Sequence, residues 1–151
     1  MTPHALYGTG GTGGAGGPMG QRGECRIESE NQIVTARKLV RDAATSVGFG
    51  LTDVTRIVTA ASELTRNIYH YAKSGVMRWQ ALDQGTATGL ELIFEDDGPG
   101  IPDVEKAMEA GYTSGKGLGL GLPGSKRLMD EMTVVSVVGK GTTVTVRKWL
   151  K

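Results

Sequence analysis

Apolar residues recur at spacings of three and four along two stretches in the first half of the chain, and this pattern predicts two amphipathic helices. The first runs from Gln32 to Val47 and is followed by Gly48, a residue typical of helix ends. The second runs from Leu51 to Tyr71, with Thr52 as the predicted N-cap. The apolar face of this second helix comprises Val54, Ile57, Val58, Ala61, Leu64, Ile68 and Tyr71.

A different periodicity marks the stretch from Leu90 to Asp96, which predicts a strand ending in a carboxylate. Leu90, Leu92, Phe94 and Asp96 share one parity, so their side chains face one side of a sheet. A carboxylate on a buried face costs several kcal/mol unless it is hydrogen-bonded. Glycines follow closely, so we expect a sharp turn here. Because the carboxylate needs a hydrogen-bond partner, we expect a ligand to bind Asp96.

The remaining pattern adds short strands, one short helix and a glycine turn. The predicted strands are Cys25–Ser29, Val76–Leu82, Thr133–Val138 and Thr142–Lys148, and the other elements are a loop at Asp83–Gly89, a short helix at Asp103–Ala110, a helix at Leu122–Met132 and a turn at Gly139–Gly141. Helices and adjacent strands in this order predict an α/β protein, a two-layer α/β sandwich.

Two polar residues lie four apart on the second predicted helix. Glu63 and Asn67 are therefore neighbours on one helix face, beside the apolar stripe. An amide oxygen suits Mg²⁺, which prefers hard oxygen ligands and keeps several waters. A carboxylate at this spacing can accept a proton from a hydroxyl or a water.

A glycine-rich loop from Thr113 to Gly124 precedes the helix predicted at Leu122–Met132. Its glycines allow backbone N–H groups to approach an anion closely, and the helix N-terminus that follows favours the same ligand. Neither common glycine motif fits this loop. A dinucleotide fingerprint requires a preceding strand, and the sequence predicts none here. A P-loop needs Ser or Thr at the position that Gly117 occupies.

Four motifs in this order resemble those of the GHKL ATPase/kinase superfamily. Residues Glu63 to Asn67 resemble its N box, and Asp96 to Gly100 resemble its G1 box. Gly115 to Gly121 resemble its G2 box, and Gly139 to Thr143 resemble its last motif. The resemblance covers about residues 25 to 151 and implies the Bergerat ATP-binding fold, a mixed sheet covered by helices on one face.

The resemblance also implies roles for individual residues and predicts ATP and Mg²⁺ as cofactors. Asp96 would bind the amino group of adenine, and the backbone near Gly98 and Gly100 would close over the base. Asn67 would hold the Mg²⁺ ion, and Glu63 would be the catalytic general base. The predicted nucleotide-binding residues are Asn67, Asp96, Gly98, Gly100, Gly115, Lys116, Gly117, Leu118, Gly119, Leu120, Gly121 and Thr142.

Within the superfamily the chain resembles the RsbT-type serine/threonine kinases of stressosome and sigma-factor switches. The resemblance lies in Ala61–Tyr69, Glu95–Asp103, Gly121–Glu131 and Lys148–Leu150. It implies transfer of the ATP γ-phosphoryl group to Ser or Thr of STAS-domain scaffold or antagonist proteins of the RsbS and RsbR kind. A PP2C-type phosphatase of the RsbU kind is the second implied partner.

Three other functions compete with this prediction. An RsbW-like anti-sigma factor that sequesters a sigma factor would share the ATP motifs, although such proteins more usually have a small residue where this chain has Ile68-Tyr69. A nucleotide-dependent interaction module without turnover is also open. The catalytic module of a histidine kinase is disfavoured, because the sequence leaves no room for a dimerising hairpin with a phosphoacceptor His.

Composition and net charge limit the classes of partner and the cellular compartment that we expect for this protein. The chain has 151 residues and a net charge of +1, which favours neither a nucleic-acid partner nor a lipid surface. One cysteine, Cys25, and the absence of a signal peptide or long apolar run predict a cytoplasmic protein without membrane spans. Residues Met1 to Gly23 are dominated by glycine and are predicted to be a disordered tail, so the predicted domain spans 24–151.

Overall fold

The computed structural model of the protein describes residues 21–109 and 121–151. In the described residues, helices pack on one face of a five-stranded sheet with strand order β1-β2-β3-β5-β4. The strands are β1 (Arg22–Ile27), β2 (Gly75–Asp83), β3 (Thr88–Asp96), β4 (Glu131–Val137) and β5 (Gly141–Trp149). The helices are α1 (Glu30–Val47), α2 (Leu51–Asn67), α3 (Val104–Ala107) and α4 (Gly121–Leu128), and a π-helical turn, Ile68–Ala72, follows α2.

The sheet is antiparallel at each neighbouring pair that the structure describes, so the prediction of a mixed sheet was wrong in this detail. The reason lies in the connections. Two helices, α1 and α2, separate β1 from β2 and return the chain to the end of the sheet where β1 stopped. Strand β4 points in the same direction as β3, but β5 lies between them and pairs antiparallel with both.

The core lies between the sheet and the two long helices. Leu90, Leu92 and Phe94 are at most 2% exposed and face α1 and α2, which confirms the predicted parity of β3. Ala36 and Ile57 are fully buried on the facing sides of the helices. Among the described residues, no helix is both long and apolar enough to cross a membrane.

Ion pairs cover much of the opposite face of the sheet. Arg78 Nη1 lies 2.6 Å from Glu95 Oε1, and Arg147 Nε lies 2.8 Å from Glu91 Oε2. Between these pairs Ile93 is 6% exposed. Long charged side chains can lay their apolar stems on a sheet while their charged ends pair with each other. This explains how the face of the sheet away from the helices can carry charged residues and still be covered.

Helix α2 differs from its prediction at both ends. Gly50, not Thr52, is the N-cap, because the carbonyl oxygen of Gly50 accepts the backbone N–H of Val54 at 2.9 Å. The regular helix ends at Asn67, and the chain continues as the wider π-helical turn to Ala72. Such turns inside helices are rare and frequently occur at functional sites.

Helix α4 ends at Leu128, four residues before the predicted end at Met132. Two contacts with β5 terminate it. Lys148 Nζ donates to the carbonyl oxygen of Leu128 at 2.9 Å, and the Asp130 N–H donates to the carbonyl oxygen of Arg147 at 2.9 Å. Met132 therefore belongs to β4, where it pairs with Val146. Contacts so distant in sequence leave no helix-stop signal in the local pattern.

Asp130 is the basis of a prediction about acid stability. Burial raises its pKa, but the N–H of Trp149 and the charges of Lys148 and Lys151 outweigh burial and lower the pKa overall. A lowered folded-state pKa means that this stabilisation is present above the unfolded pKa of about 3.9 and is lost as pH falls through the folded-state pKa. We therefore expect Asp130→Asn to lower the Tm at pH 7 and to have progressively less effect below about pH 4. Thermal unfolding of both proteins between pH 7 and pH 2.5 measures this; a Tm difference independent of pH would contradict it.

Strand β1 begins at Arg22, so the folded domain starts two residues before the predicted boundary. Arg22 pairs with Gln80, and Gly23 pairs with Trp79. A β-carbon on Gly23 would overlap the Trp79 indole, so the ring packs across a position that favours glycine. The part of the predicted tail before Gln21 lies outside the described residues.

Candidate functional site

A cleft opens where the C-terminal end of α2 meets the end of β3, the start of β5 and the start of α4. Its polar residues come from separate elements: Glu63 and Asn67 from α2, Asp96 from β3 and Thr142 from β5. The residues lining it are Glu63, Leu64, Asn67, Ile68, Tyr71, Phe94, Asp96, Pro99, Gly100, Ile101, Pro102, Ala107, Gly121, Leu122, Thr142 and Val144. An apolar cleft with a few convergent polar groups is the usual form of a small-molecule site.

Glu63 is buried at the α2 side of this cleft. The residue is 5% exposed, and its Oε2 lies 2.9 Å from Arg66 Nη1. A buried carboxylate is tolerated when a charged partner hydrogen-bonds it. Asn67 lines the cleft one helical turn further on and is only partly buried. Because Glu63 is buried, its side chain does not belong to the solvent-exposed surface of the helix.

Asp96 lies at the base of the cleft, where β3 ends. Its Oδ1 accepts the backbone N–H of Gly98 at 2.8 Å. Burial raises the pKa of Asp96; the N–H groups of Gly98 and Thr142 oppose this, and the nearby charges of Asp97 and Glu95 add to it. A half-buried carboxylate that also faces a cleft fits a ligand with an N–H donor, such as an exocyclic amine.

The loop after Asp96 is held against the turn between β4 and β5. Gly100 has φ +78°, and a β-carbon there would lie 2.5 Å from the carbonyl oxygen of Val137. Gly139 N–H donates to the carbonyl oxygen of Pro99 at 2.9 Å. At Gly141, with φ +125°, a β-carbon would overlap the Asp96 carbonyl group. The backbone geometry around Asp96 therefore depends on contacts between residues more than 35 positions apart.

This packing predicts a large difference between two glycine substitutions in the same turn. Gly141→Ala combines a disfavoured positive φ with overlap of Asp96, so we expect it to lower the free energy of unfolding by more than about 2 kcal/mol. Gly139→Ala shares the positive φ of +83° but meets open space, so its expected cost is about 1 kcal/mol. Urea unfolding of both variants makes the comparison, and equal losses would show that the contact with Asp96 does not matter.

Two polar residues in or beside the cleft, Ser136 and Tyr71, were not among the predicted site residues. Ser136 on β4 accepts the backbone N–H of Ile101 at 2.7 Å, and its Oγ lies 2.8 Å from Thr142 Oγ1. Ser136 shares the parity of the apolar residues Met132 and Val134, so the only signal for it in the sequence was a hydroxyl at an otherwise apolar position. Tyr71 was predicted only as a member of the apolar helix face, but the π-helical turn places it in the cleft lining.

The structure brings together most of the predicted site residues that it describes. Gly98 contacts Asp96 through its backbone N–H and does not itself line the cleft. Among basic residues that could contact phosphates or a partner, His70, Lys126 and Arg127 are exposed, and Arg66 pairs with Glu63. Gly121 lies at the start of α4 and lines the cleft. The predicted phosphate-loop residues Gly115, Lys116, Gly117, Leu118, Gly119 and Leu120 lie outside the described residues.

The donor set of the cleft fits a magnesium ion shared with a nucleotide better than a metal held by the protein alone. Within 21–109 and 121–151, no group of three or more His, Cys, Asp or Glu side chains is placed to hold a metal ion. The Asn67 amide oxygen is a single hard ligand beside the carboxylate of Glu63. Mg²⁺ commonly binds through one or two protein ligands together with phosphate oxygens and waters.

Comparison with known proteins identifies the family. The model of the histidine kinase-like ATPase domain matches residues 27–148. This chain belongs to that family. The RsbT serine/threonine-protein kinase of Bacillus subtilis is 51% identical over 126 residues, which are 83% of this chain and 95% of RsbT. An anti-sigma F factor of Thermoanaerobacter sp. (strain X514) is 34% identical over 76% of this chain and 83% of its own length. The predicted resemblance to the GHKL superfamily and to RsbT-type kinases is confirmed, and the family implies use of ATP.

Two solved structures share the fold. The RsbU and RsbW domains of a Mycobacterium tuberculosis protein match with a TM-score of 0.53 and 22% identity, over 83% of this chain and 31% of that longer one. The mycobacterial sensor histidine kinase MprB matches with a TM-score of 0.52 and 18% identity, over 82% of this chain and 95% of its own. At these identities the matches establish the α/β ATPase fold and nothing finer.

Proposed function

We propose that the protein is a serine/threonine protein kinase that transfers the γ-phosphoryl group of Mg-ATP to a hydroxyl of a partner protein. The observation that carries the proposal is the buried Glu63 carboxylate, which lies in one cleft with Asn67 and Asp96. This arrangement occurs in a chain that is 51% identical to a named serine/threonine-protein kinase, over 83% of this chain and 95% of the kinase. A nucleotide-binding site without turnover would not need a buried carboxylate beside the proposed metal ligand.

Each polar residue of the cleft has a task in this reaction. Asp96 accepts a hydrogen bond from the exocyclic amine of the base and so fixes the nucleotide at the base of the cleft. Asn67 offers an amide oxygen to Mg²⁺, which neutralises phosphate charge when it is bound. Glu63 accepts the proton of the attacking hydroxyl. Phosphoryl transfer depends mainly on positioning and charge stabilisation, and a base within hydrogen-bond reach adds about 10²–10⁴-fold.

Arg66 has a role in holding this base. Its ion pair with Glu63 keeps the carboxylate in one orientation at the edge of the cleft. Arg66 and Asn67 are adjacent in sequence, so they project from different sides of α2, and Glu63 lies between them on the helix surface. The carboxylate is therefore supported from the side away from the proposed metal ligand.

The partner class follows from the relatives rather than from the cleft. RsbT is named a serine/threonine-protein kinase, and other relatives are named anti-sigma F factors. Both names imply action on another protein, and this supports a protein substrate. Within the proposal the substrate is a STAS-domain scaffold or antagonist protein, the kinase acts in the cytoplasm, and a PP2C-type phosphatase is a second partner that the kinase activates.

A phosphotransfer assay tests the proposal directly. The purified protein is incubated with γ-labelled ATP, Mg²⁺ and STAS-domain proteins from the same genome, beside an Asp96→Asn control. Label on a STAS protein that is absent with the control supports the kinase function. ATP binding without label on any STAS protein contradicts the proposed reaction.

The anti-sigma F factor relatives favour one second candidate, a protein that sequesters a sigma factor. Affinity capture from native lysate separates the two functions. Recovery of a sigma factor that an antagonist protein displaces would support the second candidate. Recovery of a STAS protein without a sigma factor would support the first.

A further inference from the structure

The hydroxyl of Ser136 connects three segments that surround the base of the cleft. Ser136 lies on β4 and pairs with Thr142 on β5. Its Oγ is 2.7 Å from the backbone N of Ile101, 3.2 Å from the carbonyl oxygen of Gly141 and 2.8 Å from Thr142 Oγ1. One side chain on the edge strand therefore contacts the loop after Asp96 and the start of β5 together.

Counting protons fixes the direction of each hydrogen bond. A serine hydroxyl has one proton to donate and two lone pairs to accept with. The Ile101 N–H can only donate, and the Gly141 carbonyl can only accept, so Ser136 accepts from the first and donates to the second. The remaining contact is satisfied only if Thr142 donates its proton to the second lone pair of Ser136. The proton of Thr142 is then committed to Ser136.

This arrangement determines what Thr142 offers to a ligand. Thr142 lines the cleft, and its Cα pairs directly with that of Asp96 across β3 and β5. With its proton directed at Ser136, the Thr142 oxygen presents only lone pairs to the cleft. The Asp96 carboxylate is also an acceptor. The base of the cleft therefore offers two acceptors, which match an amino group and disfavour a carbonyl oxygen.

We propose that Ser136 is a positioning residue that fixes the hydroxyl proton of Thr142 and thereby makes the cleft select a 6-aminopurine over a 6-oxopurine. The inference rests on the proposed function, since it requires that the nucleobase binds beside Asp96 and Thr142. Without the Ser136 hydroxyl, Thr142 is free to turn its proton toward the cleft and to donate to a 6-oxo group. Unpaired acceptors facing a carbonyl are the kind of mismatch that gives a site most of its discrimination.

Calorimetry with Mg-ATP and Mg-ITP tests the inference, because inosine replaces the 6-amino group of adenosine by an oxo group. We expect the ratio of the two affinities to fall about tenfold in Ser136→Ala and to remain near the wild-type value in Ser136→Thr, which keeps the hydroxyl. Thr133→Ala is the matched control, since it removes an exposed hydroxyl from the same edge strand. In a Thr142→Val background, Ser136→Ala should leave the ratio unchanged.

Three results would overturn the inference. Unchanged affinities for both nucleotides in Ser136→Ala would show that Ser136 does not control the proton of Thr142. An equal loss of both affinities would show that Ser136 only supports the loop around Ile101. Failure of the wild-type protein to bind either nucleotide would overturn the proposed function as well, so the first two results are distinguishable from the third.

Discussion

Asp96→Asn should weaken Mg-ATP binding by about 10²–10³-fold without unfolding the protein. In the proposed complex the amide would present an N–H₂ group where the amine of the nucleobase requires an acceptor, and buried polar groups would be left unpaired. The fold should tolerate the change, because the amide oxygen can still accept the N–H of Gly98, as Asp96 Oδ1 does at 2.8 Å.

The pKa of Asp96 makes this prediction sharper. Burial raises it, so the ionised carboxylate is disfavoured in the folded state. The contribution of the protonated Asp96 carboxyl group to the stability of the fold is present below the unfolded pKa of about 3.9 and is lost as pH rises through the folded-state pKa. The neutral Asn variant should therefore be no less stable than the wild type at pH 7. A position that costs stability in this way is common at functional sites, which agrees with the proposed role of Asp96 in binding.

Calorimetric titration with Mg-ATP and thermal unfolding at pH 7 together test the Asp96 prediction. Asp97→Asn is the matched control, because it removes an adjacent carboxylate that is exposed. We expect nearly unchanged ATP affinity in the control. If Asp96→Asn bound ATP with wild-type affinity, or if the two variants lost affinity equally, Asp96 would not be the base-binding residue.

Glu63→Gln should reduce the rate of phosphoryl transfer by about 10²–10⁴-fold and leave ATP affinity within about threefold of wild type. Glutamine has the same shape and still accepts a hydrogen bond from Arg66, but it does not take the proton of an attacking hydroxyl. Alanine is the poorer choice, since it would leave the partly buried guanidinium of Arg66 without its partner.

Single-turnover transfer from γ-labelled ATP, at saturating nucleotide and protein substrate, measures the effect of Glu63→Gln. Glu30→Gln serves as the control, because it neutralises an exposed carboxylate in the first turn of α1. Full transfer by Glu63→Gln with ATP still bound would show that another group accepts the proton. Loss of transfer together with loss of ATP binding would indicate a structural role for Glu63.

Local patterns were sufficient for the elements and for part of the site. The spacing of apolar residues predicted both long helices, and alternation predicted the buried parity of Leu90, Leu92 and Phe94, because side-chain direction in a helix or strand repeats with a fixed period. The same parity placed Asp96 on the inner face. Helix periodicity placed Glu63 and Asn67 side by side, and the glycines after Asp96 marked the turn.

Element ends were harder to predict, because they depend on partners distant in sequence. Met132 fits an amphipathic helix as well as a strand, and only the contacts of β5 with Leu128 and Asp130 decide that the helix stops. The π-helical turn after Asn67, which carries Tyr71 into the cleft, likewise has no distinct local pattern.

The sequence by itself determined the family of the chain and predicted which residues would carry the chemistry, since motif order and periodicity are local properties of the chain. Tertiary structure alone decided how those residues are paired. It placed Ser136 on Thr142, and it brought Gly141 against Asp96. A hydrogen bond depends on atoms within about 3 Å of each other in space, and Ser136 and Ile101 reach that distance only after β4 and β5 have paired beside β3.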